Sequence, residues 1–229
     1  MRAVAEPAHP SRRSSSVDDQ GLRASTGQLR QTSFGQHDYP GLRVWIRDHL
    51  LLGSLLRTGR PYAGKRLADV GCGFKAAFTR TLLDELSSAI LVDVAIAPDL
   101  KAHPRVTAIE GALPDALAEV PSHSVDVVLC SAVLEHLWEP LETLKEFPRV
   151  LAPGGVCLIN VPSWLGKRVL EFLVFRLGMS TADEIDDHKT YYSPRQLWPL
   201  LVRAGFVPHN IKCYRQLVGV NTLAVCRVD

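Results

Sequence analysis

The sequence lacks three features that mark particular protein classes: long hydrophobic runs, paired cysteines and an excess of one charge. None of its 229 residues falls in a run of the roughly 18 apolar residues that a transmembrane helix needs, and the N-terminus has no apolar secretory segment. The five cysteines contain no Cys-x-x-Cys pair, which favours small buried thiols over disulfides and zinc ligands. We therefore expect a reduced, cytoplasmic protein with no membrane span. The cysteines are Cys72, Cys130, Cys157, Cys213 and Cys226.

The charge is nearly balanced, with 26 Lys and Arg against 24 Asp and Glu. The excess lies in residues 1–36, which hold five Arg and three acids, and the rest of the chain is neutral. A nucleic-acid surface needs clustered basic side chains, so nucleic acid is not expected as a partner. Residues 1–36 are also rich in Ser, Arg and Gly, which predicts a disordered tail before one domain over residues 37–229.

Beyond residue 41, short apolar runs alternate with helical patterns, which predicts an α/β fold whose parallel sheet is covered on both faces. The expected strands are 66–71, 89–94, 106–110, 125–131, 155–161, 207–214 and 221–228. The expected helices are 42–56, 76–87, 139–151 and 194–204, with a weaker one at 114–119. The last of the main helices follows Ser193, a suitable N-cap, with proline at its first position.

A glycine-containing loop follows the first predicted strand. Gly71 and Gly73 allow a tight turn and close approach of a ligand to the backbone, and Asp93 ends the next strand twenty residues later. A carboxylate at that place can accept both hydroxyls of a ribose. Because Gly71, Gly73 and Ala76 also satisfy the dinucleotide fingerprint, an NAD(P)-dependent oxidoreductase is the alternative. Asp69 disfavours a pyrophosphate at this loop and suits a cationic ligand better.

Four segments in order give the chain its resemblance to a known family. They are LADVGCG at 67–73, LVDV at 91–94, HSVDVVLCSAVLEHLWEPLETLKEFPRVLAPGGVCLINVPSW at 123–164 and HKTYYSPRQLWPLLVRAGF at 188–206. Together the chain resembles the S-adenosylmethionine-dependent methyltransferases over about residues 41–229. The resemblance implies a Rossmann-like, seven-stranded, mostly parallel sheet with helices on both faces and an antiparallel last strand.

The resemblance also implies which residues bind S-adenosyl-L-methionine. Asp69, Gly71, Cys72 and Gly73 would line its methionine part, and Asp93 with Val94 would bind the ribose. Ala112 and Leu113 would flank the adenine, and Ser131 would lie beneath the sulfonium.

Two positions depart from the family pattern. Lys75 stands where many members have a third glycine, so a left-handed backbone there would cost about 1 kcal/mol. Ala112 stands where many members have an acid for the adenine amino group, so Glu110, Asp115 or a backbone group would have to replace it. A methyltransferase-like subunit that binds without catalysing is therefore a second alternative.

Three residues are candidates for the reaction itself. His136, just after strand four, is a candidate catalytic base or substrate contact, or else a histidine that ties the backbone at the start of a helix. His188 with Tyr191 would meet the acceptor, or else belong to a capping loop. The acids between 183 and 187 and the scattered histidines predict no metal site. The expected activity is methylation of a hydroxyl on a small molecule, sugar or glycan precursor, or natural product. The apolar segment 164–179 has three possible roles: it packs in the core, forms a homodimer face, or covers the bound acceptor.

Overall fold

The computed structural model describes residues 33–36, 58, 61–169 and 188–229 and contains a seven-stranded sheet. The strand order is β3-β2-β1-β4-β5-β7-β6, and β7 runs antiparallel to β5 and β6. The Rossmann-like sheet with one antiparallel strand at the end of the chain is therefore confirmed. The strands are β1 Arg66–Val70, β2 Ser88–Asp93, β3 Val106–Glu110, β4 Val125–Ser131, β5 Leu151–Pro162, β6 Ile211–Gln216 and β7 Asn221–Arg227.

The alternation of side chains along the central strands produces two cores, one on each face of the sheet. In β4, Val128 and Cys130 face the first core, whereas Val127 and Leu129 face the second. This period of two is what a strand buried on both faces requires. The helices are α1 Ala77–Arg80, α2 Pro98–Lys101, α3 Pro140–Val150 and α4 Pro194–Arg203. Residues of α3 and α4 pack on the first face, and residues of α1 and α2 pack on the second.

Helix α4 begins as the sequence predicts. The Ser193 backbone N–H and hydroxyl both donate to Gln196 Oε1, at 2.9 and 2.7 Å, in a capping box. Helix α3 also agrees with its prediction, but β5 begins directly after it at Leu151, four residues before the predicted start.

Three other predictions need correction. The helix predicted over 76–87 ends at Arg80 and continues as turns, because the Thr81 hydroxyl donates to the Phe78 carbonyl and competes with helical bonding. Residues 115–119 form a 3₁₀ helix rather than an α-helix. Strand β6 starts at Ile211 instead of residue 207, because a short 3₁₀ turn occupies 208–210.

Several predicted features lie outside the described residues: the tail up to residue 32, the helix at 42–56, the acidic residues between 183 and 187, and the apolar segment beyond residue 169. Its first residues, 164–169, are helical. Within the described ranges, no helix has the length and apolar character needed to cross a membrane.

Candidate functional site

The candidate site lies where the parallel strands β1, β2 and β4 end. These strands are neighbours or next neighbours in the sheet, so the residues that follow them meet at one edge. Asp69 lies at the penultimate position of β1, Asp93 ends β2, and Ser131 ends β4. The sheet therefore brings together the residues that the sequence analysis selected at three separate places.

The loop after β1 is built on two glycines in the left-handed region. Gly71 has φ of 71° and Gly73 has φ of 72°, conformations that other residues adopt only at a cost. A Cβ at Gly71 would lie 2.3 Å from Cγ2 of Val133, and a Cβ at Gly73 would lie 3.2 Å from the carbonyl oxygen of Phe34. Both glycines are therefore required by backbone angle and by close packing.

The loop is held closed by residues from two other segments. The Phe74 N–H donates to the Phe34 carbonyl at 2.8 Å, so the turn at residues 33–36 packs against it. The Gly71 and Cys72 N–H groups both donate to the carbonyl oxygen of Val92 in β2. The loop therefore has one fixed path rather than a free one.

Asp93 binds this loop through both carboxylate oxygens. Oδ2 accepts the Gly73 N–H and Oδ1 accepts the Val94 N–H, each at 2.8 Å. A carboxylate has about four lone-pair positions, so each oxygen can still accept a further hydrogen bond. The geometry thus fixes the orientation of Asp93 and leaves capacity for two hydroxyl donors.

Asp69 is a buried carboxylate, 4% exposed, on the face of the sheet that α1 covers. The Thr79 hydroxyl of α1 donates to Asp69 Oδ2 at 2.6 Å. The pKa of Asp69 is raised to about 7, mainly by burial and also by the nearby Asp93 charge, while the Thr79 hydrogen bond partly opposes the rise. An additional cation at this place would favour the ionised form.

The strained residue in the loop is Ala76, not Lys75. Ala76 has φ of 40° and ψ of 51°, whereas Lys75 is absent from the residues with positive φ. The condition under which Lys75 would be strained, a left-handed backbone at that position, is therefore not met. The loop after Gly73 turns one residue later than the family pattern suggests, because the left-handed residue that precedes α1 is its N-cap.

The connection after β3 contains Ala112 and Leu113, both partly exposed. The Ala112 carbonyl accepts the Ala116 N–H, which starts the 3₁₀ helix. Of the two acids suggested as replacements, Glu110 is already engaged: it accepts the Ile96 N–H and binds the Lys101 ammonium at 2.9 Å. Asp115 is exposed, so of these two acids it is the better candidate to accept a hydrogen bond from an adenine amino group.

Ser131 ends a short chain of polar side chains that enters the sheet. Asn160 Nδ2 donates to Ser131 Oγ at 3.3 Å, and Asn221 Nδ2 donates to Asn160 Oδ1 at 3.1 Å. Asn160 is 1% exposed, so its hydrogen bonds are made entirely inside the protein. Sequence reasoning missed both asparagines, because a polar residue inside an apolar strand pattern gives no sign of its partner.

The structure brings His136, His188 and Tyr191 together. The rings of His136 and His188 lie 4.8 Å apart between centroids, and His188 Nδ1 is 3.0 Å from the Tyr191 hydroxyl. Tyr191 is largely buried and packs against Trp164, with ring centroids 5.5 Å apart. The two segments that carry these histidines are 52 positions apart, so only the fold shows that they share one site.

Glu135 is the residue of this cluster that sequence reasoning missed. It lies in the 3₁₀ turn Leu134–His136 and is 1% exposed. Its backbone carbonyl accepts the Lys189 N–H at 2.6 Å and the Thr190 N–H at 3.3 Å, which ties the His188 segment to the turn. An acid in a short polar turn normally indicates a solvent-facing side chain, so its burial was not evident.

All five cysteines are free thiols. Cys130, Cys157 and Cys226 are buried, as the sequence predicts, and Cys72 and Cys213 are partly exposed. Burial raises the pKa of every one of these thiols, so they are protonated at neutral pH. Cys72 is therefore a neutral part of the loop rather than a nucleophile.

Comparison with known proteins finds similarity to methyltransferases. A family model described as a methyltransferase domain matches residues 68–159, which span β1 to most of β5. A probable S-adenosylmethionine-dependent methyltransferase of Mycolicibacterium smegmatis is 32% identical over 136 residues, which cover 56% of this chain and 51% of that protein. A ubiquinone biosynthesis O-methyltransferase of Psychrobacter arcticus is 26% identical over 196 residues, 76% of this chain and 74% of that protein. The chain thus spans about half of the first relative.

Solved structures share the fold. The complex of the Haloferax volcanii Trm112 methyltransferase activator with a methyltransferase matches with a TM-score of 0.61 and 16% identity, covering 82% of this chain and 94% of that chain. An S-adenosylmethionine-dependent methyltransferase from Archaeoglobus fulgidus matches with a TM-score of 0.58 and 15% identity, covering 83% and 100%. At such identities the likeness concerns the fold alone.

The described residues fit S-adenosylmethionine. The loop takes a left-handed path at Gly71 and Gly73 that only glycine adopts readily, and Asp93 retains acceptors for ribose hydroxyls. Asp69 supplies a buried negative charge for a ligand that carries a sulfonium and an ammonium. The loop, the two carboxylates, the seven-stranded sheet and the matched relatives agree: residues 68–159 match a methyltransferase domain, and the chain is similar to S-adenosylmethionine-dependent methyltransferases with a Rossmann-like sheet.

Proposed function

We propose that this domain transfers the methyl group of S-adenosylmethionine to a hydroxyl oxygen of a small acceptor, such as a sugar, a glycan precursor or a natural product. One observation carries the proposal. The connections after β1 and β4, which are adjacent strands, place the loop of Gly71 and Gly73 beside the turn that holds His136. The contact between Val133 and the Gly71 backbone joins the two connections directly.

The cofactor-binding roles follow from the hydrogen bonds of the loop. Asp93 accepts the ribose hydroxyls, since its orientation is fixed by Gly73 and Val94. Asp69 offsets the positive charge of the methionine part, and the backbone of residues 71–73 lies along it. Ser131, which accepts a hydrogen bond from Asn160, would contact the sulfonium part, and Ala112 and Leu113 would contact the adenine.

The reaction needs alignment and removal of one proton. When bound, S-adenosylmethionine supplies an electrophilic methyl carbon on a positively charged sulfur. The acceptor oxygen forms the new C–O bond as the C–S bond breaks, and that electron pair returns to sulfur. Alignment of oxygen and carbon at about 3–3.5 Å provides much of the acceleration. The acceptor proton passes to a ring nitrogen of His136 or His188, which act as general bases and contact the substrate with Tyr191.

The surroundings of the two histidines favour a polar acceptor with one flat or apolar side. Trp164 is 49% exposed and packs on Tyr191, and Trp138 is 70% exposed with the Lys189 ammonium 5.4 Å from its ring centre. Such aromatic faces beside polar groups are typical of small-molecule sites. The ubiquinone biosynthesis O-methyltransferases among the relatives support oxygen as the methylated atom.

Two alternatives predict different ligands. An NAD(P)-dependent oxidoreductase would place a pyrophosphate against the loop that holds Asp69, which is unfavourable whenever that carboxyl is ionised. A binding subunit without catalysis would keep the cofactor site but not need the cluster of His136 and His188. A cytoplasmic location, with which the free thiols agree, and a homodimer are further parts of the proposal.

Calorimetric titration separates these functions. The natural chain should bind S-adenosylhomocysteine with micromolar affinity and bind NAD⁺ far more weakly. Asp93→Ala should abolish the first binding because it removes the ribose acceptors, whereas Asp99→Ala, at an exposed ion pair with Arg80, should leave it unchanged. Binding of NAD⁺ alone would refute the proposal.

A transfer assay then tests the reaction itself. Hydroxylated, amino and thiol acceptors are incubated with radiolabelled S-adenosylmethionine, and the labelled product is identified. Methylation at oxygen that falls about 100-fold or more in His188→Ala, with cofactor affinity unchanged, supports a role of this imidazole in the chemical step. Cofactor binding with no transfer to any acceptor class would support the non-catalytic subunit.

A further inference from the structure

We propose that Glu135, His136 and His188 form a binding site for one divalent transition-metal ion, at which the acceptor hydroxyl is coordinated. This inference rests on the proposed function for its role but not for its geometry. The sequence predicted no metal, because the acids and histidines that it contains show no metal-ligand spacing. The fold creates the site by joining a turn after β4 to the segment before α4.

The distances between the ligand atoms are short enough for a shared ion. One ligand atom from each of the three side chains lies within 4.8 Å of the other two. A point between three such atoms is at most about 2.8 Å from each, and metal bonds of about 2.0–2.2 Å need movements below about 1 Å per side chain. Changes of χ angles of the three side chains supply movements of that size.

The side chains are held by contacts outside the proposed coordination. Glu135 and His136 are consecutive in the turn, and the Glu135 carbonyl anchors the backbone of Lys189 and Thr190 beside it. His188 Nδ1 is hydrogen-bonded to the Tyr191 hydroxyl at 3.0 Å. Ligand histidines typically have their second nitrogen held in this way, because it fixes the ring orientation.

The donor set selects the class of metal. Two imidazoles with one carboxylate bind zinc, manganese, cobalt or ferrous iron and leave open coordination positions. Magnesium and calcium prefer oxygen ligands and should bind more weakly. Glu135 is 1% exposed, so its charge is poorly hydrated and a bound cation would compensate it.

A metal at this place would extend the proposed function in one respect. Coordination lowers the pKa of a bound hydroxyl, so the acceptor oxygen would become a nucleophile without transfer of its proton to an imidazole. The proton would leave to solvent, and His136 and His188 would serve as ligands instead of bases. Acceptors with two neighbouring oxygens, such as vicinal diols and catechols, would bind best because both oxygens can reach open positions.

The test measures metal binding directly. The protein is treated with a chelator, dialysed, and titrated with Zn²⁺, Mn²⁺ and Co²⁺ chlorides, with Mg²⁺ as comparison, and the visible spectrum of Co²⁺ reports its coordination. We expect one ion per chain. Because loss of an outer contact already weakens metal sites 10–100-fold, His188→Ala and Glu135→Gln should weaken binding by about 100-fold or more. His209→Ala, at an exposed histidine in the turn before β6, is the matched control and should bind normally.

S-adenosylhomocysteine binding accompanies each titration and shows that the variants are folded. Binding of one ion that is lost in both variants but retained in the control establishes the site. Absence of stoichiometric binding, or equal affinity in His188→Ala and the natural chain, overturns it. If methyl transfer continues in the presence of the chelator, the metal proposal fails and the proposed function remains. If the metal binds but S-adenosylhomocysteine does not, the proposed function fails instead.

Discussion

Asp69→Asn should stabilise the ligand-free protein at neutral pH while it weakens cofactor binding. Burial raises the pKa of Asp69 from 3.8 to about 7. Between these values the folded protein keeps a proton on this carboxyl that the unfolded chain has lost. The free energy of unfolding therefore falls as the pH rises through this window, and the fall ends above pH 7. An amide at position 69 does not titrate, so it avoids the loss.

The size of the effect follows from the same shift. One pKa unit corresponds to about 1.4 kcal/mol, so the natural chain should lose about 2–3 kcal/mol of unfolding free energy between pH 5 and pH 7 through this group. The variant keeps the shape of the side chain, and its amide oxygen can still accept the Thr79 hydroxyl. The advantage of the variant should therefore grow with pH by that amount.

Urea unfolding of both proteins at pH 5, 6 and 7 measures this difference. An advantage that stays constant with pH, or a variant that is less stable than the natural chain at pH 7, would refute the reasoning. Titration with S-adenosylhomocysteine at pH 8 tests the predicted effect on cofactor binding. Loss of the negative charge should weaken that binding at least about tenfold. A stabilised variant with unchanged affinity would mean that Asp69 does not face the cofactor.

Three further predictions concern the loop and the sheet. In urea unfolding, Gly71→Ala should lower the free energy of unfolding by about 1–3 kcal/mol more than Gly64→Ala does. Both glycines have positive φ, but only a Cβ at Gly71 would meet Val133. Equal losses in the two variants would contradict the packing argument. Lys75→Gly should lower the free energy of unfolding by about 0.5–1 kcal/mol, since this backbone is not left-handed; a rise would restore the strain hypothesis. Asp126→Asn should lower the free energy of unfolding by about 1 kcal/mol at pH 7, because it removes the ion pair with Arg66. The loss should shrink as the pH falls through the lowered pKa of Asp126. A loss that does not change with pH would exclude the ion pair as its cause.

The central sheet could be predicted because each strand is a short apolar run. Strands β3 and β4 have the bounds that the pattern gave, because each apolar run is flanked by polar or turn residues. The helix after the glycine loop was overestimated, because the apolar spacing of 76–87 suits turns that pack Phe78 and Leu82 as well as a continuous helix. Periodicity reports which residues are buried, not which hydrogen bonds the backbone forms.

The cofactor loop was predicted better than the acceptor site for a related reason. Asp69, Gly71 and Gly73 belong to one continuous segment, and Asp93 follows at the end of the neighbouring strand, so strand order alone places them together. The contacts of Glu135 with the segment at Lys189 join residues that are more than fifty positions apart in the sequence. They depend on backbone hydrogen bonds between the two segments. No local pattern encodes such a contact.

The charge of Asp69 is the feature that best connects stability with function. A carboxylate buried to 4% exposure lowers stability at neutral pH, and its described hydrogen bond from Thr79 would be satisfied equally by an amide. Packing therefore does not require the charge, whereas a cationic ligand does, because its binding recovers part of the burial penalty as affinity. A buried carboxylate whose hydrogen bond an amide could supply thus marks a place where this domain is expected to hold positive charge.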